Sequence, residues 1–206
     1  MSDVQNAQGP ADVAPLILAS ASPRRVELLA QIGVTPTHIQ PAHVDETPLN
    51  GESPREAAKR LARLKALEIQ KSHPGACILA ADTVVAVGRR ILGKADDEAH
   101  ARRYLDLLSG RSHRVIGGLC VLGPDGREVL KAITTSVTFK RLTPAEIDAY
   151  IASDEWHDKA GAYAIQGRAG AFVKSLNGSY SNVVGLPLFE TAGALKGLGV
   201  APPGLI

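Results

Sequence analysis

Residues 78–87 read Ile-Leu-Ala-Ala-Asp-Thr-Val-Val-Ala-Val, a run in which Asp82 is the one charged side chain. A stretch this short, this apolar and this rich in β-branched residues makes a buried strand, and Gly88-Arg89-Arg90 turns it into a hairpin. Upstream, Leu16–Ala19 (LILA) is a second apolar run, and it ends in Ser20-Ala21-Ser22-Pro23-Arg24-Arg25. Ser22 suits an N-cap and Pro23 the first helical position, which predicts a helix to about Ile32, stopped by Gly33. Residues 37–44 offer a further strand. Ser53-Pro54-Arg55-Glu56 forms a capping box, serine closing one end and glutamate bonding back, and opens a helix to about Ser72.

Downstream, a helix is expected over roughly Asp97–Leu108, ending at Ser109-Gly110. Val115–Leu122 and Val129–Leu142 read as strands joined by the turn Pro124-Asp125-Gly126, and are therefore antiparallel. Thr143-Pro144-Ala145-Glu146 is a second capping box, with a helix to about Ala152. The last quarter offers a strand near Ala171–Leu176, a hairpin turn at Asn177-Gly178 and a helix after Pro187. Helices and strands interleave, yet one strand pair is antiparallel, so the fold class is α/β with a mixed sheet. One domain over 15–200 follows, with residues 1–14 as a disordered lead-in and not a signal peptide.

Composition narrows the function. The chain has 206 residues, a net charge of +2 and 4% aromatic residues. So small a charge and so few stacking rings argue against a nucleic-acid partner. No stretch approaches the eighteen or so apolar residues that a membrane helix needs, so no membrane partner is expected and the cytoplasm is the expected compartment. The two cysteines, Cys77 and Cys120, sit in apolar runs and read as buried thiols, with no disulfide framework or zinc site.

Three features carry chemistry. Ser20 to Arg25 sets hydroxyls and guanidinium groups at a strand-to-helix turn, where free amides and the helix dipole favour phosphate; a plain cap with surface arginines is the alternative. There is no Walker A loop. On the helix after Ser53, steps of about 100° put Lys65 and Glu68 inside the apolar arc of Ala57, Ala58, Leu61 and Leu64, while Lys59 and Arg63 point outward. Lys65 must snorkel, pair with Glu68, or meet an anion. Asp82, alone in its strand, must pair, bind metal, change its pKa, or accept backbone hydrogen bonds at a bulge. Asp45-Glu46 can supply a second carboxylate, and two carboxylates with a phosphate suit magnesium or manganese.

Taken in order, LASASPRR (18–25), VDE (44–46), RLARLKA (60–66), AADTVV (80–85), GK (93–94), LSGRSHRV (108–115), VTF (137–139), DKAGAYAIQG (158–167) and NGSYSNVVGLPL (177–188) resemble the Maf family of septum-formation-inhibitor-like nucleotide pyrophosphatases. The resemblance spans Leu16 to Leu195. It implies a single elongated Maf/ITPase-like domain with a central mixed sheet, two lobes and a cleft between them. It also implies hydrolysis between the α and β phosphates of a nucleoside triphosphate with a divalent metal, Mg2+ or Mn2+. On the matching positions, Asp82 becomes the catalytic carboxylate, as base or metal ligand, and Glu46 a metal ligand. Ser20, Arg24, Arg25, Lys65 and Lys94 become phosphate-binding residues.

Arg24, Thr83 and Gln166 match the positions that select the base, and point to the dTTP/UTP type and not the 7-methyl-GTP type. An amide at Gln166 can donate to a carbonyl and accept from the imide N–H of uracil or thymine. Modified pyrimidines such as 5-methyluridine or pseudouridine present the same edge. Ala95 departs from the proline expected after Lys94, which bears on how firmly that loop is held. The rival reading is a non-catalytic regulator of cell division that binds nucleotide or nucleic acid. A homodimer is left open.

Overall fold

The computed structural model describes residues 14–201 and residue 205; of the lead-in expected over 1–14, all but Ala14 lie outside the described residues. The elements in chain order are β1 (Leu16–Leu18), α1 (Pro23–Gln31), β2 (His38–Ile39), α2 (Pro54–Gln70), β3 (Cys77–Val87) and β4 (Arg90–Leu92). They continue with α3 (Glu98–Leu108), β5 (Ser112–Leu122), β6 (Glu128–Phe139), α4 (Pro144–Ile151), a 3-10 turn (Arg168–Phe172), β7 (Val173–Asn177), α5 (Tyr180–Val184) and α6 (Leu188–Gly197).

The strands form one seven-stranded sheet in the order β2-β1-β3-β5-β6-β7, with β4 paired to β3. β1 runs parallel to β2 and β3, and the remaining pairs are antiparallel, so the sheet is mixed as expected. β3 organises it. One edge of β3 pairs with β5 from Ile78 to Ala86. The other edge pairs with β1 only over Cys77–Leu79 and with β4 only over Val85–Val87. Between those two partners the edge is open, because the chain leaves β1 at Ser20 to start α1. Asp82 and Thr83 sit in that notch.

Side chains of a strand alternate between faces, and β3 separates four apolar clusters accordingly. On one face Ile78 and Ala80 pack beneath α2, and Val84 and Ala86 belong to a second cluster, with Asp82 between them. On the opposite face Cys77, Leu79 and Ala81 pack with α1 and α6, while Val85 joins the large cluster of α3, α4, Phe139, Trp156 and Phe172, with Thr83 between. The clusters fall in two pairs, one about Cys77–Ala81 and one about Val84–Ala86; these are the two lobes, and they part at residues 82–83. Both cysteines are free and buried, and burial pushes their thiols up to about 12.

Gly117 and Gly118 of β5 lie opposite Thr83 and Asp82. A Cβ on Gly118 would stand 1.9 Å from the Ala58 carbonyl oxygen, and one on Gly117 1.9 Å from the Asn182 side-chain oxygen. The glycine pair therefore lets α2 close on one face of the sheet and α5 on the other, beside the notch.

Several local expectations are corrected. The strand over 37–44 shrinks to His38–Ile39, since Pro41 has no N–H to offer a ladder. β6 ends at Phe139, short of Leu142, whose amide turns to the Ser109 hydroxyl. Ala171 and Phe172 belong to the 3-10 turn, so β7 begins at Val173. Asn177-Gly178 is not a hairpin: Gly178, at φ 128°, leads into α5, whose first turn is capped by the Ser179 side chain accepting from the Asn182 amide. Leu64 is exposed and not in the apolar arc. Ser22 holds the N-cap position without a side-chain cap bond, and its own amide donates to Ser20 Oγ.

Candidate active site

All nine site residues proposed from the sequence line one cleft of about 510 Å³ at the notch in β3. That volume suits a nucleotide-sized ligand. Four elements supply seven of them: the β1–α1 turn (Ser20, Arg24, Arg25), the loop before α2 (Glu46), α2 (Lys65) and β3 (Asp82, Thr83). Lys94, after β4, and Gln166, before the 3-10 turn, complete the wall.

The acidic centre is tight. Lys65 Nζ lies 2.6 Å from Asp82 Oδ1 and 2.7 Å from Glu46 Oε1. Lys65 therefore meets anions across the cleft; Glu68 pairs instead with Lys71. Asp82 sits in a regular ladder opposite Gly118 and not at a bulge. Burial pulls the Glu46 carboxyl up, but the hydrogen bond and charge of Lys65, with Lys94 and Arg25, outweigh it and leave it below its ordinary value. Asp45 stays out of the cleft, its Oδ1 accepting from the Thr47 amide in a turn.

Arg25 is the organiser of the turn. Its Nε donates to the Gly185 carbonyl (2.9 Å), Nη1 to Ser20 Oγ (2.8 Å) and Nη2 to Thr83 Oγ1 (3.4 Å). Three of the five guanidinium N–H donors are thereby used, which leaves two for a ligand oxygen. Burial lowers its pKa against the pull of Asp82. Arg24 makes no ion pair among the described residues, and burial lowers its pKa against Asp158 and Glu27. The α1 terminus meets the cleft without a side-chain cap, so its amide end faces any anion there.

The loop carrying Lys94 is held despite Ala95. Lys94 bridges Ala160 across backbones, Gly161 N donates to the carbonyls of Leu92 and Gly93, and Ala95 packs on the large apolar cluster. Lys94 Nζ lies 3.7 Å from Asp158 Oδ1.

Sequence reasoning missed Asp158 and Lys159, which line the same wall. Both lie in DKAGAYAIQG, where Lys159 was hidden as one more surface lysine. Asp158 adopts φ 54°, an unusual conformation for a side-chain-bearing residue. Lys159 Nζ donates to the His157 carbonyl at 2.7 Å. Burial and then the nearby Arg24 charge push Lys159 below its ordinary value, against Asp158 and Glu155. Behind Gln166, Glu155 Oε2 accepts from the Arg168 amide at 2.8 Å, and His113 Nε2 is 2.8 Å from the Tyr163 hydroxyl.

The described residues contain no group of three or more His, Cys, Asp or Glu side chains placed to hold a metal ion. Hard divalent ions such as Mg2+, however, bind through one or two carboxylates together with substrate phosphates. The pair Glu46 and Asp82 fits an ion of that kind. No helix among the described residues is long and apolar enough to cross a membrane.

A mixed-sheet α/β protein whose cleft gathers cations around two carboxylates is built to take a polyanion. This chain belongs to the Maf family: the Maf-like protein model matches residues 15–198. It is similar to the dTTP/UTP pyrophosphatase of Paramagnetospirillum magneticum, 63% identical over 92% of this chain and 100% of that one. The dTTP/UTP pyrophosphatases of Rhodospirillum rubrum (59% identical, 91% and 90% covered) and Caulobacter vibrioides (56%, 95% and 100%) are also similar. Among solved structures, a HAM1 protein from Coxiella burnetii aligns with a TM-score of 0.49 at 16% identity, over 89% of this chain and 99% of that one.

Proposed function

We propose that this chain hydrolyses dTTP and UTP, and pyrimidine triphosphates with the same imide edge, to the monophosphate and pyrophosphate. The observation that carries the reading is the Lys65-bridged pair Asp82 and Glu46 in a cleft ringed by Arg24, Arg25, Lys94 and Lys159. Relatives of more than half identity are dTTP/UTP pyrophosphatases, which supports the substrate. Paired carboxylates at the centre of the cleft favour an enzyme over a non-catalytic regulator.

In this reading the cations, the Ser20 hydroxyl and the open end of α1 hold the phosphates and stabilise the charge that develops on the departing pyrophosphate. Asp82, hydrogen-bonded through Oδ1 to Lys65, accepts the proton of the attacking water on its other oxygen. Glu46 and Asp82 would hold the divalent metal, which, when bound, polarises a phosphoryl oxygen and lowers the pKa of bound water. Arg24, Thr83 and Gln166 select the base; the Thr83 hydroxyl is oriented by Arg25 Nη2, and Gln166 is exposed on the opposite wall. Asp158 and Lys159, on that wall, tune the phosphate grip of Lys94.

The test is a screen of nucleoside triphosphates with pyrophosphate detection in the presence of Mg2+ or Mn2+. Preferred turnover of dTTP, UTP or their 5-substituted relatives is expected. Preferred turnover of purine triphosphates, or none at all, would overturn the proposal.

A further inference from the structure

Lys65 stands in two places at once. The resemblance gives it a phosphate, whereas the structure gives it the two carboxylates that would hold the metal. Its Nζ is centred between Asp82 Oδ1 and Glu46 Oε1, at 2.6 and 2.7 Å, and its side chain is 12% exposed. The helix that delivers it cannot drift, because the Ala58 carbonyl is seated against Gly118, two turns earlier on α2.

We propose that Lys65 is a placeholder cation: in the free enzyme its ammonium occupies the position between Glu46 and Asp82, so a divalent metal is admitted only together with nucleotide. The inference rests on the function proposed above. An ion entering alone meets a carboxylate pair already half neutralised, and must displace an ammonium held by two short ion pairs. Arg24, Arg25 and Lys94 repel it as well. A triphosphate changes both terms. It offers Lys65 a new acceptor and supplies the metal with oxygen ligands that two carboxylates alone do not provide. Both positions of Lys65 are then stages of one cycle, an exchange of counter-ions between carboxylate and phosphate.

The test titrates the metal-free full chain with Mn2+ and follows the free ion by electron paramagnetic resonance. It uses wild type, Lys65→Met and Lys65→Gln, with and without a non-hydrolysable α,β-imido dUTP and with the analogue alone as control. Without nucleotide, both variants should bind Mn2+ at least about tenfold more tightly than wild type, since no like charge then has to be pushed aside to roughly 4 Å from the ion. Adding Glu46→Gln should cancel that gain and so locate the ion. Lys65→Gln keeps a hydrogen-bonding side chain should Lys65→Met fail to fold. Equal Mn2+ affinity in wild type and both variants overturns the placeholder role, even if the analogue still recruits the ion. If the analogue recruits no Mn2+ to any of the three proteins, the nucleotide reading itself fails.

Discussion

Gly118→Ala tests whether the position of α2 sets the chemistry at Asp82. The added Cβ would lie 1.9 Å from the Ala58 carbonyl oxygen, 2.5 Å from its carbon and 3.2 Å from the Ala62 Cβ. Carbon–oxygen contacts settle at about 3.3 Å or more, so α2 has to retreat from the sheet by roughly 1.4 Å. The nearest atoms are backbone, so no side-chain rotation relieves the clash. Overpacking of this kind costs about 1–3 kcal/mol. Lys65, two turns along α2, moves with the helix, and its 2.6 Å bond to Asp82 opens. Misplacement by about 1 Å can lower turnover some 10²-fold. Urea denaturation should show the stability loss, and kcat/KM for dTTP should fall by at least an order of magnitude in protein that is still folded. Gly193→Ala, inside α6 where nothing lies within 4 Å of the new Cβ, is the control: turnover should not change, and stability should hold or rise by up to about 1 kcal/mol from helix propensity. Wild-type stability and turnover in Gly118→Ala would refute the packing argument.

Asp82→Asn should keep the fold and lose about 10²-fold or more in kcat, the scale of a general base; near-wild-type turnover by pyrophosphate release would exclude Asp82 from the chemistry. Gln166→Glu places a second acceptor against the imide carbonyls. The ratio of kcat/KM for UTP to that for 7-methyl-GTP should then drop by roughly 5- to 150-fold, and an unchanged ratio would mean that Gln166 does not read the base. His113, buried against Phe139 and Tyr163, is pushed down to about 4 from 6.5 by burial. The unfolded chain therefore takes up a proton that the folded one refuses until about pH 4. Stability should be full above pH 6.5 and fall by up to about 3 kcal/mol as pH drops toward 4. Denaturation midpoints of His113→Gln across that range should be flatter than wild type, and equal slopes would remove His113 as the cause.

The features legible in the sequence were those with local causes. Ser53 and Glu56 close α2, and Thr143 and Glu146 close α4, as reciprocal caps visible from spacing alone. The apolar run with one carboxylate gave both β3 and the centre of the cleft. Lys65 could be placed on the inward arc of α2 from periodicity, but its partners could not, because Glu46 and Asp82 reach it through tertiary packing. For the same reason Arg25 could be read as a phosphate ligand but not also as the tie between Ser20, Thr83 and Gly185, which takes three of its donors. Ser22 takes the N-cap position that its place before Pro23 marks, but its side chain makes no cap bond. Gly117-Gly118 passed as part of an apolar strand, since only the closeness of α2 and α5 shows why two side chains must be missing there. Lys159 was invisible because a lysine in a loop carries no pattern; the turn at Asp158 places it.

Product analysis of dTTP hydrolysis by 31P nuclear magnetic resonance tests the central claim most directly. The account predicts dTMP and pyrophosphate in equal amounts, formed with added Mg2+ or Mn2+ and abolished by excess chelator. dTDP with orthophosphate, or full activity in the chelator, would contradict it.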